Sequence, residues 1–319
     1  MDAPDDDFAE ALRVFQATAR RLVEDAPALR AALAPPRSLC RIAEISLERD
    51  PADAGKFFAD HFEWRRIESP VFFTGYYEPE VAGSLTPTAE FAAPILARPV
   101  DLGTDSYPDR AAIEDACANP LVWLADAVEV FMIHVQGSAR VNLPEGRQIR
   151  LVYDGRNGKP YTSIGRHLVE TGEIAPEKMS LSRLKAWLRA QGLKLGERGR
   201  EVMRLNRSYI FFRAEQSLDP ASGPIGGAGA SLTPLRSLAV DRALWPYGLP
   251  FWVEAELPWR RESPEPFRRL LVGQDTGTAI VGQGRFDIFF GTGDEAGVRA
   301  GGIRHTGAVQ ALQPRETLR

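Results

Sequence analysis

The chain has 319 residues, of which 44% are hydrophobic and 26% charged, and its formal net charge is −4. This composition is typical of a folded globular protein long enough for two domains, and it excludes a disordered or fibrous chain. The slight acidity, without a dense run of Lys and Arg, argues against nucleic acid as a partner.

Targeting and metal-binding signals are absent from the sequence. Residues 1–8 lack the basic and apolar regions of a secretory signal, and no run of about 18 apolar residues follows, so no membrane span is predicted. Cys40 and Cys117 either form one disulfide or stay free, and they are too few for a Cys-rich metal site. No metal-ligand spacing links the four histidines, His61, His134, His167 and His305.

The predicted helices are few. An amphipathic helix opens the chain, because apolar residues recur at intervals of four and three at Phe8, Leu12, Phe15, Ala19 and Leu22. A second helix is predicted over 52–64, with His61 as a packed or rim histidine on its apolar face. Three more are predicted over 110–116, 164–171 and 182–191.

From residue 70 onward, short apolar runs alternate with Gly, Pro and Asn, which is the pattern of strands and turns. The predicted strands are 71–77, 131–136, 148–153, 209–213, 237–240, 250–254, 270–274, 279–281 and 286–290. Many short strands and 28 glycines favour a mainly β protein with a barrel over a doubly wound sheet. The Gly-rich stretch 221–230 is the most linker-like segment and a candidate domain crossing.

Three aspartates lie at strand ends or within strands: Asp241, Asp275 and Asp287. Strands disfavour aspartate, and a buried carboxylate needs a partner, so such residues are paired, hydrogen-bonded or functional. For Asp241 the favoured interpretation is a turn aspartate that accepts backbone N–H bonds. The apolar neighbours of Asp287 predict a raised pKa, as a glycosidic general acid needs, provided that Arg285 leans toward solvent.

Two further segments are candidates for ligand contacts. Thr74, Gly75 and Tyr76 offer hydroxyls and an aromatic face that could hold a sugar ring, although a core role for Tyr76 fits equally well. Residues Gln136, Gly137 and Ser138 combine hydrogen-bonding side chains with a close backbone approach, or else form a tight turn.

Nucleotide-binding and hydrolase motifs are not found. The sequence has no GxSxG elbow, no P-loop and no dinucleotide fingerprint, and the glycines of 223–229 lack the strand-then-helix context. Neither a nucleotide partner nor any cofactor is expected.

The ordered motifs nevertheless resemble those of one family. FTGYYEP at 73–79, VQGSARV at 135–141, YDGRNGKPYTSIGRHLVETGEI at 153–174, NRSYIFFR at 206–213, LTPLRSLAVDR at 232–242, and QDTGTAI with RFDIFFGTGDEAG within 274–297 are similar to the membrane-bound lytic transglycosylase A family. The C-terminal part resembles the module named for three aspartates, which here are Asp241, Asp275 and Asp287.

The resemblance implies a double-psi β-barrel domain over 1–80 and 221–319, with a smaller β-domain inserted over 81–220. It implies a lytic transglycosylase that acts on peptidoglycan glycan strands in a groove between the domains. Asp287 and Asp275 are the expected catalytic residues. The expected substrate-binding residues are Thr74, Gly75, Tyr76, Gln136, Gly137, Ser138 and Asp241. The implied location is periplasmic and outer-membrane-associated, with any membrane anchor or targeting segment upstream of the sequence given.

The reaction that the resemblance implies needs one carboxyl group. Asp287 protonates the glycosidic oxygen and then accepts the C6 hydroxyl proton of N-acetylmuramic acid as a 1,6-anhydro ring closes, whereas ordinary glycosidases need two carboxyl groups. Two alternatives remain open. One is an inverting hydrolase that uses Asp275 and Asp287, and the other is a non-catalytic, expansin-like glycan-binding protein.

Overall fold

The computed structural model describes residues 6–103, 107–216 and 222–316. Its α-helices in these ranges are α1 (Phe8–Val23), α2 (Arg37–Leu47), α3 (Ala54–His61), α4 (Arg110–Ala116), α5 (Ala127–Gln136), α6 (Ile164–Glu170), α7 (Leu181–Ala190), α8 (Arg198–Arg204) and α9 (Asp294–Gly301). Its strands are β1 (Phe62–Arg66), β2 (Val71–Glu78), β3 (Glu80–Ser84), β4 (Ala93–Leu96), β5 (Pro120–Leu124), β6 (Ser138–Asn142), β7 (Gln148–Arg156), β8 (Ile210–Gln216), β9 (Ser237–Ala239), β10 (Pro250–Leu257), β11 (Glu265–Asp275), β12 (Arg285–Thr292) and β13 (Arg304–Pro314).

Contacts between residues divide the chain into two compact units. Unit 1 comprises Met1–Tyr77 and Ala221–Arg319, and unit 2 comprises Glu78–Pro220. Each unit has its own sheet and its own hydrophobic clusters.

Unit 1 contains a closed ring of six strands in the order β13, β10, β11, β9, β12 and β2, with β2 pairing back onto β13. Strand β1 pairs with β13 outside this ring. Aromatic rings fill the interior: the ring of Phe286 lies 5.4 Å from that of Phe251 and 6.0 Å from that of Phe73. The expected mainly β fold class with a barrel is therefore confirmed.

Helix α1 packs its apolar stripe on this barrel, as predicted. The Asp7 side chain accepts a hydrogen bond from the backbone N–H of Glu10 and caps the helix. Leu12 and Phe15 are fully buried, and the Phe15 ring lies 5.9 Å from that of Phe62. Full burial of such a side chain contributes about 1.5–3 kcal/mol.

The helix predicted over 52–64 is too long. Helix α3 ends at His61, and Phe62 begins β1, where it pairs with Pro314. His61 is buried 4.9 Å from the Phe57 ring, measured between ring centroids, and this burial lowers the pKa of the imidazole. The prediction of a packed histidine is confirmed.

The strand predicted over 131–136 is wrong, because these residues lie in α5. Asp126 caps the helix by accepting from the N–H groups of Val128 and Glu129, and Gly137 ends it with a φ of 89°. The helix is apolar on several faces: Ile133 packs in one buried cluster and Phe131 in another. A helix that is buried on several faces shows little periodicity, and its β-branched residues suggest a strand.

Unit 2 has a six-stranded sheet in the order β4, β5, β3, β6, β7 and β8. The helices predicted over 110–116, 164–171 and 182–191 are present as α4, α6 and α7. Trp187 and Leu188 of α7 join the buried cluster beside α5.

Within the described ranges, none of the helices has the length and apolar character needed to cross a bilayer. Cys40 in α2 and Cys117 at the end of α4 are both free thiols.

Candidate active site

Asp287 is the third residue of β12, and its backbone pairs with Ala239 of β9. Its neighbours Phe286 and Ile288 are fully buried. Because side chains alternate along a strand, the carboxyl group of Asp287 points to the other face, which it shares with Arg285.

A chain of hydrogen bonds connects this carboxyl group to β2. The Thr74 hydroxyl lies 2.7 Å from Oδ1 of Asp287, and Nη2 of Arg285 donates to Thr74 Oγ1 over 2.8 Å. Arg285 therefore does not lean to solvent, although the sequence analysis made a raised pKa of Asp287 depend on that orientation. Its side-chain partner Thr74 lies between Arg285 and Asp287.

Desolvation dominates the acidity of Asp287. Burial is the largest cause that raises the pKa of its carboxyl group, and with the smaller contribution of the negative charge of Asp275 the pKa reaches about 6. The hydrogen bond from Thr74 and the charge of Arg285 oppose this rise without cancelling it. A carboxyl group with a pKa of about 6 is half protonated at pH 6 and still holds its proton in roughly a tenth of molecules at pH 7, so it can act as a general acid.

Asp275 ends β11, and its Oδ1 accepts two backbone hydrogen bonds of 2.8 Å, from the N–H groups of Gly227 and Thr276. A Cβ on residue 227 would overlap the hydroxyl of Tyr247, so only glycine fits between that ring and Asp275. Tyr247 is buried, and in the described part of the chain its hydroxyl has no hydrogen-bond partner. Burial and the charge of Asp275 raise the pKa of Tyr247.

The glycines beside Asp275 belong to the stretch that the sequence presents as a linker. Residue 221 lies outside the described residues, but Gly226 and Gly227 are buried and packed in unit 1. The N–H of Ala228 donates to the carbonyl of Gln274 over 2.9 Å. These residues are therefore part of the aspartate site, and their glycines reflect close packing as well as turns.

Gly75 and Tyr76 follow Thr74 on β2. A Cβ on Gly75 would lie 2.8 Å from the backbone of Ala300, so a side chain there would push α9 away. Tyr76 is 9% exposed and its ring packs 5.3 Å from that of Phe289. Burial and the nearby charge of Asp275 raise the pKa of the Tyr76 hydroxyl. The core role that the sequence left open for Tyr76 fits this burial better than sugar stacking.

Asp241 follows β9, and its carboxylate connects two loops through hydrogen bonds. Its Oδ1 accepts from the N–H of Ala243 and its Oδ2 from the N–H of Gly282 over 2.7 Å. The turn interpretation fits this geometry. The strand predicted over 279–281 is wrong, because these residues form a loop that buries Ile280 in the cluster containing Tyr76.

Gln136, Gly137 and Ser138 belong to unit 2, whereas the aspartates belong to unit 1. Gln136 is the last residue of α5, Gly137 has a left-handed conformation, and Ser138 begins β6. This is the tight-turn geometry that the sequence left open, formed here at a helix end instead of a strand end.

Sequence reasoning missed three residues of this site: Arg285 as a direct partner of Thr74, and Gly227 and Tyr247 beside Asp275. The adjacent glycines were visible, but nothing local assigned them to Asp275. Within residues 6–103, 107–216 and 222–316, no three His, Cys, Asp or Glu side chains are grouped so that they could hold a metal ion.

Comparison with known proteins places both units in one family. Residues 72–213 match the family described as MltA specific insert domain, and residues 236–313 match the 3D domain. The chain is 33% identical over 253 residues to the membrane-bound lytic murein transglycosylase A of Vibrio cholerae, covering 76% of this chain and 65% of that protein. The Escherichia coli K12 protein of the same name is 34% identical over 255 residues, covering 76% and 66%. The chain thus spans about two thirds of the length of these curated relatives.

Solved structures agree with this assignment. The crystal structure of a membrane-bound lytic murein transglycosylase from Agrobacterium tumefaciens is similar with a TM-score of 0.87 and 32% identity, covering 97% of this chain and 94% of that one. The crystal structure of Escherichia coli MltA with bound chitohexaose is similar with a TM-score of 0.75 and 27% identity, covering 97% and 89%. The chain therefore belongs to the membrane-bound lytic murein transglycosylase A family.

Proposed function

We propose that the chain is a lytic transglycosylase that cleaves the β-1,4 bond between N-acetylmuramic acid and N-acetylglucosamine in peptidoglycan. The observation that carries this proposal is the desolvated carboxyl group of Asp287, with a pKa of about 6 and a hydroxyl partner at 2.7 Å. Family membership supports the same reaction, and the chitohexaose bound to the Escherichia coli relative supports a glycan as the ligand.

In the proposed reaction, protonated Asp287 gives its proton to the glycosidic oxygen as the bond from that oxygen to C1 of the muramoyl residue breaks. The new carboxylate stabilises the positive charge that develops at C1. The hydroxyl on C6 of the same sugar then attacks C1 and gives its proton to Asp287. A 1,6-anhydro ring closes, no water is consumed, and the acid returns to its starting state.

Other groups of the site support both states of the acid. The Asp275 charge favours the protonated form before bond cleavage. Thr74 and Arg285 favour the carboxylate after it, through a hydrogen bond and a positive charge. A positioned general acid contributes about 10²–10⁴-fold to the rate. The remaining acceleration comes from holding the C6 hydroxyl in line with C1.

The proposed setting follows from the substrate. Peptidoglycan lies outside the cytoplasmic membrane, and the curated relatives are named membrane-bound. We place the chain at peptidoglycan in the periplasm, in association with the outer membrane.

Solubilisation of purified sacculi tests the proposal. The chain is expected to lower the turbidity of a sacculus suspension and to release soluble muropeptides. Asp287→Asn is expected to lose at least about a hundredfold in rate, as for removal of a lone general acid. A variant that keeps more than a tenth of the activity contradicts the assignment of Asp287. An unchanged turbidity with tight binding supports a glycan-binding protein instead.

A further inference from the structure

The guanidinium group of Arg285 is held in place beside the proposed acid by three contacts. Its Nη1 donates to the carbonyl oxygen of Phe286 over 2.5 Å, and its Nη2 donates to Thr74 Oγ1 over 2.8 Å. Its carbon Cζ lies 5.5 Å from the centroid of the Phe72 ring, within the range of a cation–π contact. Together, the two hydrogen bonds and the ring contact fix the orientation of the guanidinium group.

The chemistry of the donors fixes the direction of the hydrogen-bond chain. A guanidinium group has no acceptor, so Thr74 Oγ1 must accept from Arg285. The hydroxyl of Thr74 has a single proton, and its other partner at 2.7 Å is Oδ1 of Asp287. With Arg285 donating to one of the two lone pairs of Oγ1, the Thr74 proton is directed at Oδ1, to which the hydroxyl donates, so Oδ1 acts as an acceptor.

We infer that Arg285 is a positioning residue that orients the Thr74 hydroxyl and thereby places the acid proton of Asp287 on Oδ2. This inference rests on the proposed function, in which Asp287 is the general acid. A neutral carboxyl group has one proton, and an Oδ1 that accepts from Thr74 leaves Oδ2 to hold it. Oδ2 is then the atom that protonates the glycosidic oxygen.

Loss of Arg285 removes this control of direction. The Thr74 hydroxyl can then rotate and accept a hydrogen bond from protonated Asp287, which engages the acid proton within the protein. The rate of cleavage falls, while the pKa of Asp287 rises because a cation that lowers it is gone. The other charged or titratable groups near Asp287 stay unchanged: Asp275 from β11, Tyr76 from β2, and Arg30, which faces Tyr76.

The test is a double-mutant cycle between Arg285→Met and the isosteric Thr74→Val, with kcat, KM and the pH–rate profile measured on purified sacculi. Arg285→Met is expected to lose about tenfold in kcat with little change in KM, and its basic limb is expected to move to higher pH. The double variant is expected to be no slower than the slower single variant, because both substitutions break the same chain of hydrogen bonds. Arg285→Lys, which also donates without accepting, is expected to recover most of the rate.

Matched controls distinguish the loss of the hydrogen-bond chain from Arg285 through Thr74 to Asp287 from the general effect of removing a positive charge. Arg260 stacks over the ring of Trp259 at 3.9 Å in the turn between β10 and β11, at the end of this hairpin opposite to Asp275. Arg260→Met, which removes the same charge, is expected to leave kcat and the basic limb unchanged. Thr74→Ser keeps a hydroxyl and is expected to lose less rate than Thr74→Val, which lacks one.

The outcomes separate this inference from the proposed function. Rate losses that multiply in the double variant overturn the inference that Arg285 acts through Thr74. A fully active Thr74→Val overturns it as well, and that result can be obtained even where Arg285→Met is too unstable to assay. If Asp287→Asn itself stays active, the proposed function fails. If Asp287→Asn is inactive and the cycle shows no coupling, the function stands and only the role of Arg285 is wrong.

Discussion

The Thr74 hydroxyl lies 2.7 Å from Oδ1 of Asp287, although 213 residues separate the two in the chain. Strands β2 and β12 are neighbours in the barrel, so the fold of unit 1 brings the two side chains together. The acidity of Asp287 therefore depends on strand pairing between distant parts of the sequence.

The pH dependence of cleavage is the first prediction. The acid works in its protonated form, and burial raises its pKa to about 6. Activity is therefore expected to fall as the pH rises through about 6. A single-turnover pH–rate profile on sacculi measures this basic limb. A limb at about pH 4, close to an ordinary aspartate, would mean that Asp287 is already ionised at working pH.

Substitution of Asp275 is expected to move that limb. Asp275→Asn keeps an oxygen that accepts from Gly227 and Thr276 but removes a negative charge that raises the pKa of Asp287. The basic limb should move to lower pH. Asp241→Asn removes a carboxylate that does not contribute to the raised pKa of Asp287. The basic limb of this variant should therefore stay in place, whatever the rate of cleavage. A limb that does not move in Asp275→Asn argues against electrostatic coupling of the two aspartates.

Stability should depend on pH in the opposite sense from that of most carboxylates. The folded chain holds the Asp287 proton up to about pH 6, whereas the unfolded chain releases it near the ordinary value of 3.8. Between these values the folded state binds more protons, so its stability falls as the pH rises, by about 1–3 kcal/mol in total. Asp287→Asn removes this loss. Thermal unfolding should show the variant gaining stability relative to wild type from pH 4 to pH 8, and an equal difference at both pH values speaks against a raised pKa.

Glu78 should be essential to the stability of unit 2. Its carboxylate is fully buried and accepts from Nε of Arg150 over 2.8 Å and from Nε of Arg140 over 3.1 Å. Glu78→Gln removes the buried negative charge that pairs with both guanidinium groups and is expected to cost about 3–5 kcal/mol. Glu215→Gln, in a more exposed pair with Arg213, should cost at most about 1 kcal/mol. Similar losses in denaturant unfolding contradict the importance of burial.

Local patterns predicted much of the fold because they report burial. The run of apolar residues around Asp287 predicted a strand. Because strands disfavour aspartate, the position of Asp287 within this strand identified it as the candidate acid. The same logic failed for α5, which is buried on several sides and therefore shows no helical period. Its capping residues, Asp126 and Gly137, were the available signal for a helix.

The partners of the acid could not be predicted in the same way. The sequence places Arg285 on the face of Asp287, but whether it reaches Thr74 or solvent depends on the neighbouring strand. The residues around Gly227 in the sequence are typical of a linker. Its packing against Tyr247 and Asp275 depends on tertiary contacts, which the local sequence does not show. Strands β1, β3, β4, β5, β6 and β13 were also missed. The first five have four or five residues each and carry little periodicity of their own, and in β13 the first half is mostly exposed and contains few apolar residues.

The central claim is that the chain cleaves glycan strands without consuming water. Mass spectrometry of the muropeptides released from purified sacculi tests it most directly, because ring closure and hydrolysis leave products that differ by one water molecule. The account predicts muropeptides that end in 1,6-anhydro-N-acetylmuramic acid, formed by the chain and not by Asp287→Asn. Products with reducing N-acetylmuramic acid ends would contradict it and would indicate a hydrolase that uses Asp275 and Asp287 together.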